Sequence, residues 1–479
     1  AKIINEENIS STLIIEENQE IENSGIISGN ANVTEADIVF NGSGVIITST
    51  SNLENLIDIT NSGIISGNAS ITEDASITGN ASIIGTNISG NGNGVVATGN
   101  LENLIDITNS GIISGNASII GTDINSNGNG VIITINLESL TNTGVISGGI
   151  IYPLLEEGNS IHILDMSGNG IVREYISNNI VNNGIIKGST SAIAAQSISG
   201  AVINNGILAG REIFSNSYEI HMFETTNSIL QEINLNTITP TTEINNGIYV
   251  KLESETSERN DGNATGNVKV DSSGNPIIEE IEIGTGGKVT LEDGSEKTII
   301  NGSTTGEKTI SETILNKESD DKMDIYLSSS NLDTTSNVII NGTGIEKGAL
   351  VVDSETTLTD SIVNGYNTGI YLEQGKFTVI NTTINGGGLK NDVAVLKGDE
   401  NGNIVEILGT SVINGKVELG AGEDSLTIGN SVQINGDLDG GIGEDTLKLG
   451  DKELAKTESN LNIYHNINDF DNIVFEGDT

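Results

Sequence analysis

NLENLIDITNSGIISGNASI, residues 52–71, recurs without a single change at 100–119, an offset of 48. NASIIGT at 80–86 recurs at 116–122, an offset of 36, and the difference of 12 is the run ASITEDASITGN at 69–80. A chain that copies itself and also tolerates an insertion between copies reads as a solenoid, because each repeat touches only its neighbours. Within the copies lies a smaller unit, Asn-x-Gly-aliphatic, at Asn23/Gly25, Asn61/Gly63, Asn109/Gly111, Asn142/Gly144, Asn182/Gly184, Asn204/Gly206 and Asn245/Gly247. Asn-Gly elements continue at Gly302, Gly342, Gly365, Gly386, Gly415 and Gly436. Steps of 21–23 recur in both series, and 38, 40 and 41 read as about twice that, whereas 48 and 33 fit less well.

The unit predicts strands rather than helices. Its runs, such as Gly-Ile-Ile-Ser-Gly, are too short for helices and rich in β-branched residues, which suit stacked strands. Asn and Gly between the runs tolerate the left-handed backbone of a sharp corner. A coil of about 21–22 residues then holds three short strands and three corners, and its corner asparagines can stack into an amide ladder. The expected fold is an all-β, right-handed parallel β-helix with irregular excursions. Coiled throughout, the chain would make a rod of about 20 coils and roughly 100 Å. A leucine-rich repeat lacks its frame here, and a disordered tract would lack the regular Ile and Val.

Composition agrees. The 479 residues include 60 Gly, 3 Pro, no Cys and no Trp, and only 3% are aromatic. The net charge of −46 makes nucleic acid and anionic membrane surfaces poor partners. Lys2 is the only Lys or Arg before Arg173. Thiol chemistry and a disulfide framework are both excluded. No apolar run approaches the roughly 18–20 residues of a membrane span.

Four regions follow: a regular arm at 1–146, a stretch with aromatic-rich excursions at 147–250, irregular polar coils or loops at 251–340, and a second regular arm at 341–479. Between 147 and 250 fall six of the chain's 14 aromatic residues. The two excursions, 148–182 and 211–243, also hold two of its three His and two of its three Arg. Tyr152, His162, Arg173, Tyr175, Phe214, Tyr218, His221 and Phe223 are therefore the candidate ligand contacts, since rings stack on sugars or anchor proteins. The competing reading is that these rings cap a local irregularity in the coil stack.

Motifs for chemistry are sparse. GAGEDSLTIG (420–429) and GGIGEDTLKLG (440–450) repeat at an offset of 21, from Asp424 to Asp445. The second matches a calcium-binding nonapeptide, but a calcium roll needs it every nine residues, so the expectation is an acidic turn between strands. GTGGKVT (284–290) lacks the Ser or Thr and the spaced Gly of a phosphate loop. Asp320, Asp321, Asp360, Glu373 and Asp392 show how scattered the acids are, and neither His162 nor His221 has a Ser or Cys signature beside it. No catalytic residues, metal or cofactor are expected.

NSGIISGN, INNGILAG and GEDTLKLG resemble the adhesin passengers of fusobacterial type V autotransporters, and NINDFDNIVFEGDT (466–479) resembles the tail coil that precedes their membrane barrel. The resemblance implies a non-catalytic, cell-surface rod. It would be anchored through a C-terminal outer-membrane barrel not contained in this sequence. Its partners would be a host-cell receptor protein or glycan, or another bacterial surface. Two alternatives stand beside this: a passive stalk for a distal binding domain, and a polysaccharide-active β-helix enzyme.

Overall fold

A computed structural model describes the chain apart from positions 1, 12, 16–19, 34–38, 42–44, 50–55, 73–87, 92–94, 100–103, 121–123, 128–129, 134–135, 152–162, 168–169, 177–178, 216–236, 259–263, 270, 272–275, 310–311, 317–322, 389–392, 451–462, 464 and 476–479. Strands dominate the described residues, and the chain forms a parallel β-helix, as the repeats predict. It does so as two stacks rather than one rod.

The first stack runs from Lys2 to Leu252. Its leading sheet has eight parallel strands, beginning at Lys2–Asn5 and Glu20–Asn23 and ending at Ala201–Asn204 and Thr242–Asn245. Each strand closes on the repeat asparagine, and these residues stack in register, Asn5 on Asn23, Asn23 on Asn61, Asn61 on Asn109. Each amide donates to the next amide oxygen at 2.8–2.9 Å, from Asn5 through to Asn245. The anticipated amide ladder is thus the spine of the stack. Two residues on, each repeat glycine lets the chain pass close to the coil below, where a Cβ on Gly111 would collide with the Gly63 carbonyl oxygen.

The sheet order corrects the coil length. The step from Asn23 to Asn61 is 38 residues and contains one coil, not two. The surplus forms a fourth strand in each of four successive coils: Val39–Asn41, Ile88–Asn91, Ile124–Asn127 and Ile163–Ser167, which pair in parallel as a sheet of their own. Coil length therefore ranges from 18 to 48 residues in this stack. A solenoid constrains only the positions that pair, so a coil can lengthen wherever it bulges outward. The inserted run 69–80 begins in strand Ile64–Thr72, and the rest of it lies outside the described residues.

The second stack, from Glu296 to Phe475, has three sheets of parallel strands. Its ladder is Asn301, Asn341, Asn364, Asn385, Asn414 and Asn435, joined at 2.7–2.9 Å. Between the stacks the parallel pairing fails. Ile278–Ile283 runs antiparallel to Ile248–Leu252, Ser254–Glu258 pairs antiparallel with Ala264–Val268, and Gly287–Thr290 with Glu296–Asn301. This segment reverses the direction of the chain.

As a result the two stacks lie side by side and antiparallel. The second ladder donates to corner carbonyls of the first in descending order: Asn341 to Asn205, Asn364 to Asn183, Asn385 to Thr143, Asn414 to Ser110 and Asn435 to Ser62, each at 2.8–2.9 Å. Apolar packing accompanies this zipper. In the Ile-Ile doublets, Ile186 and Leu208 face the interior of the first stack. Their neighbours Val145, Ile185, Ile207 and Ile248 pack outward with Ile281, Ile325 and Tyr366. The expected rod of roughly 100 Å is replaced by two stacks, the taller eight strands high, about 35 Å at the usual strand spacing.

Candidate functional site

Of the eight candidate contact residues, Tyr152, His162, Tyr218, His221 and Phe223 lie outside the described residues. Arg173 and Tyr175 stand in strand Ile171–Ile176, in the sheet that pairs with Ser191–Ile198. Phe214 is 5% exposed and packs edge-on to Tyr249, ring centroids 6.0 Å apart at 89°. Phe214 is core and not a contact surface. Its position in strand Glu212–Ser215 pairs with Ile193 on the coil beside it.

The Tyr249 hydroxyl donates to Glu243 at 2.6 Å, and burial, helped by that carboxylate, holds the phenol far above its ordinary range. Glu282 nearby is raised by burial first and then by the charges of Glu312 and Glu243. Acidic groups thus crowd the reversal where the first stack ends.

The seam between the stacks holds one unexpected cation. Lys187 is 1% exposed and its Nζ donates to the Gly386 carbonyl at 3.2 Å. It occupies the register position of Ser147 and Ala209 on the coils beside it. Burial lowers its pKa to about 7. Tyr366, also in the seam, is fully buried with no partner for its hydroxyl, which raises its pKa.

Elsewhere Lys347 bonds Glu373 at 2.7 Å and lies 5.4 Å from the Tyr326 ring centre. Lys288, in the phosphate-loop look-alike, pairs with Glu296 on an exposed antiparallel strand.

The two acidic turns behave differently from an ordinary solvated turn. Asn403, Asp424, Asp445 and Asp471 precede four strands that stack in register, with Ile404 on Ser425, Ser425 on Thr446 and Thr446 on Asn472. One oxygen of each Asp accepts the backbone N–H of the residue stacked before it. Asp424 accepts from Asn403 at 2.6 Å, Asp445 from Asp424 at 2.8 Å, and Asp471 from Asp445 at 2.9 Å. Asn403 is 0% exposed, Asp424 2% and Asp445 0%. The second oxygens of Asp424 and Asp445, both Oδ2, and the single side-chain oxygen of Asn403 have no protein donor. Burial pushes Asp424 up to about 6, with the Asp445 charge adding and the Asn403 N–H opposing. Asp445 is likewise raised by burial and by Asp471 and Asp469. The sequence reading had placed these residues in turns between strands but not inside the molecule. Among the described residues, no three His, Asp or Glu side chains converge as a metal-holding group.

Comparison with known proteins adds little. No protein-family model and no curated protein matches the chain. The A-module of the Azotobacter vinelandii mannuronan C-5 epimerase AlgE6 aligns at 8% identity over 98% of this chain and 92% of that one, with a TM-score of 0.10. A likeness that slight supports no argument about fold or activity.

Proposed function

We propose that this chain is the passenger of a cell-surface adhesin: a non-catalytic, acidic β-helix that attaches to a host-cell receptor protein or glycan, or to another bacterial surface. The observation that carries this reading is the coincidence of two things. The Asn-Gly coil motif that resembles fusobacterial autotransporter passengers is also the motif from which both ladders are built. The structural core and the family resemblance rest on the same residues. The resemblance brings with it display outside the cell and anchoring by an outer-membrane barrel. The net charge of −46 favours neutral or basic partners over anionic ones.

The contact surface remains the aromatic-rich region 147–250, now without Phe214, whose ring is in the core. A glycan array and a receptor-binding screen test this, comparing the wild type with Tyr152, Tyr175, Tyr218 and Phe223 all changed to Ala. Loss of binding by the variant supports the surface. Equal binding by both removes it. Absence of binding by either leaves the passive stalk as the better account. Release of new reducing or unsaturated ends from acidic polysaccharides would overturn the non-catalytic reading itself.

A further inference from the structure

We propose that the column formed by Asn403, Asp424 and Asp445 is a binding site for a hard divalent cation, with calcium the best fit, held between successive coils of the second stack.

The column has a structural duty that does not need carboxylates. At each corner an oxygen accepts the N–H of the residue stacked before it. A second corner of the same stack does this with hydroxyls: Ser361 accepts from Val338 N at 3.2 Å, Thr382 from Ser361 N at 3.3 Å and Ser411 from Thr382 N at 3.1 Å. Neutral side chains therefore suffice for the coil register. Asp424 and Asp445 do the same task while burying a negative charge, whose second oxygen no protein group meets. An unpaired buried carboxylate costs several kcal/mol, roughly, unless a cation or a proton neutralises it.

Stacking makes a cation the apt partner. In-register strands place equivalent residues about 4.8 Å apart, so Asn403, Asp424 and Asp445 lie one coil step from each to the next. Two carboxylates and an amide oxygen are hard ligands of the kind calcium prefers. Peptide carbonyls and solvent would complete the shell of 6–8 oxygens usual for that ion. The turns that carry the acids suit a close approach. Gly420, Gly422, Gly441 and Gly443 have φ of 97°, 128°, 96° and 156°, and a Cβ on Gly443 would strike the Gly422 carbonyl oxygen. Lys416, in the same stack, is shared by Glu418 and Asp439. The repeat of 21 residues is one coil, so an ion here would sit between successive coils on one edge and not between the two sides of a nine-residue roll.

The test is calcium binding by equilibrium dialysis in 150 mM NaCl at pH 7.5, together with thermal unfolding, on the wild type and on Asp424→Asn/Asp445→Asn. The expected result is about one tightly held ion per chain, with a Kd on the order of 0.1–1 mM as in extracellular calcium modules. The melting temperature should rise by several degrees with calcium and not with matched NaCl, and the double variant should lose both effects. Because Asn keeps the oxygen that accepts the backbone N–H, the variant should still fold. If it does not, Asp445→Asn alone should weaken binding by roughly tenfold or more. Equal calcium shifts in wild type and variant would show diffuse counter-ion screening and overturn the site. So would a wild type that ignores calcium but gains stability as pH falls from 6 toward 4, the window between the raised Asp424 pKa and the ordinary one, since the bare oxygens would then belong to protons.

Discussion

Asn109 shows how much one side chain carries in this molecule. It is fully buried, donates to Asn142 Oδ1 at 2.9 Å and to the Gly111 and Val145 carbonyls at 3.2 Å, and accepts from Asn61 at 2.9 Å. No other residue type offers two donors and an acceptor in that geometry. Asn109→Ala would strand partners on both adjacent coils and should cost about 2–4 kcal/mol. Urea unfolding measures this, and a loss below about 1 kcal/mol would show that the ladder is ornamental. Lys187 is the opposite case. Its folded pKa, about 7, lies below the ordinary 10.5, so the unfolded chain binds more protons between those values and stability rises with pH across that window. Below pH 7 the penalty is fully present. Lys187→Met, which keeps the length without the charge, should stabilise the protein by ~1–4 kcal/mol near pH 7. That gain should shrink as pH approaches 10.5. A variant less stable than wild type at neutral pH would show that the single bond to Gly386 outweighs the burial of the ammonium.

Among the elements, the pairing strands are rigidly specified and the connections between them are not. The leading sheet keeps Asn on Asn and the next keeps Gly29 on Gly67 and Gly67 on Gly115, while the links between them range widely. The corner after each ladder residue is the tightest place, because backbone passes over backbone there. Gly111→Ala would drive a methyl into the Gly63 carbonyl and should cost about 3 kcal/mol or more, by steric displacement of both coils. A circular-dichroism melt reads the effect. Ser110→Ala, one residue earlier, leaves backbone spacing alone and should cost less than about 1 kcal/mol. The reversal at 253–295 is the other informative element. Antiparallel strands extend one sheet of the first stack beyond Ile248–Leu252, to Ile278–Ile283 and Thr313–Asn316.

For the whole molecule, the folded-back arrangement makes a sharp prediction. Ser62 and Asn435 are 373 residues apart and joined by a 2.9 Å hydrogen bond. The chain has no native cysteine, so Ser62→Cys and Gln433→Cys can carry spin labels without background. Their separation by electron-electron double resonance should fall within about 10–20 Å, the scale of packed sheets. A single continuous rod of the same coils would place them roughly 50 Å apart, from about 11 ladder steps at the strand spacing. The seam also accounts for the first aliphatic residue of each doublet. Ile185 and Ile207 are buried against the other stack, whereas their equivalents Ile26 and Ile64 are only half-buried.

The repeat by itself determined the local structure. Asn-x-Gly at the corners and β-branched residues between them leave stacked parallel strands as the way to satisfy both backbone and amide groups, so the β-helix and its ladders were legible from Asn23 to Asn435. Coil length was misread, since a step of 38 looks like two coils of 19 as readily as one coil with an added strand. Pairing decides that, and pairing is non-local. The doubling-back was also hidden, although a row of outward aliphatic residues from Ile112 to Ile248 pointed to something covering them. The burial of Phe214, Lys187, Asp424 and Asp445 was decided only by which coils lie beside which. A residue's charge is written in the chain, but its solvent is set by neighbours that arrive from hundreds of residues away.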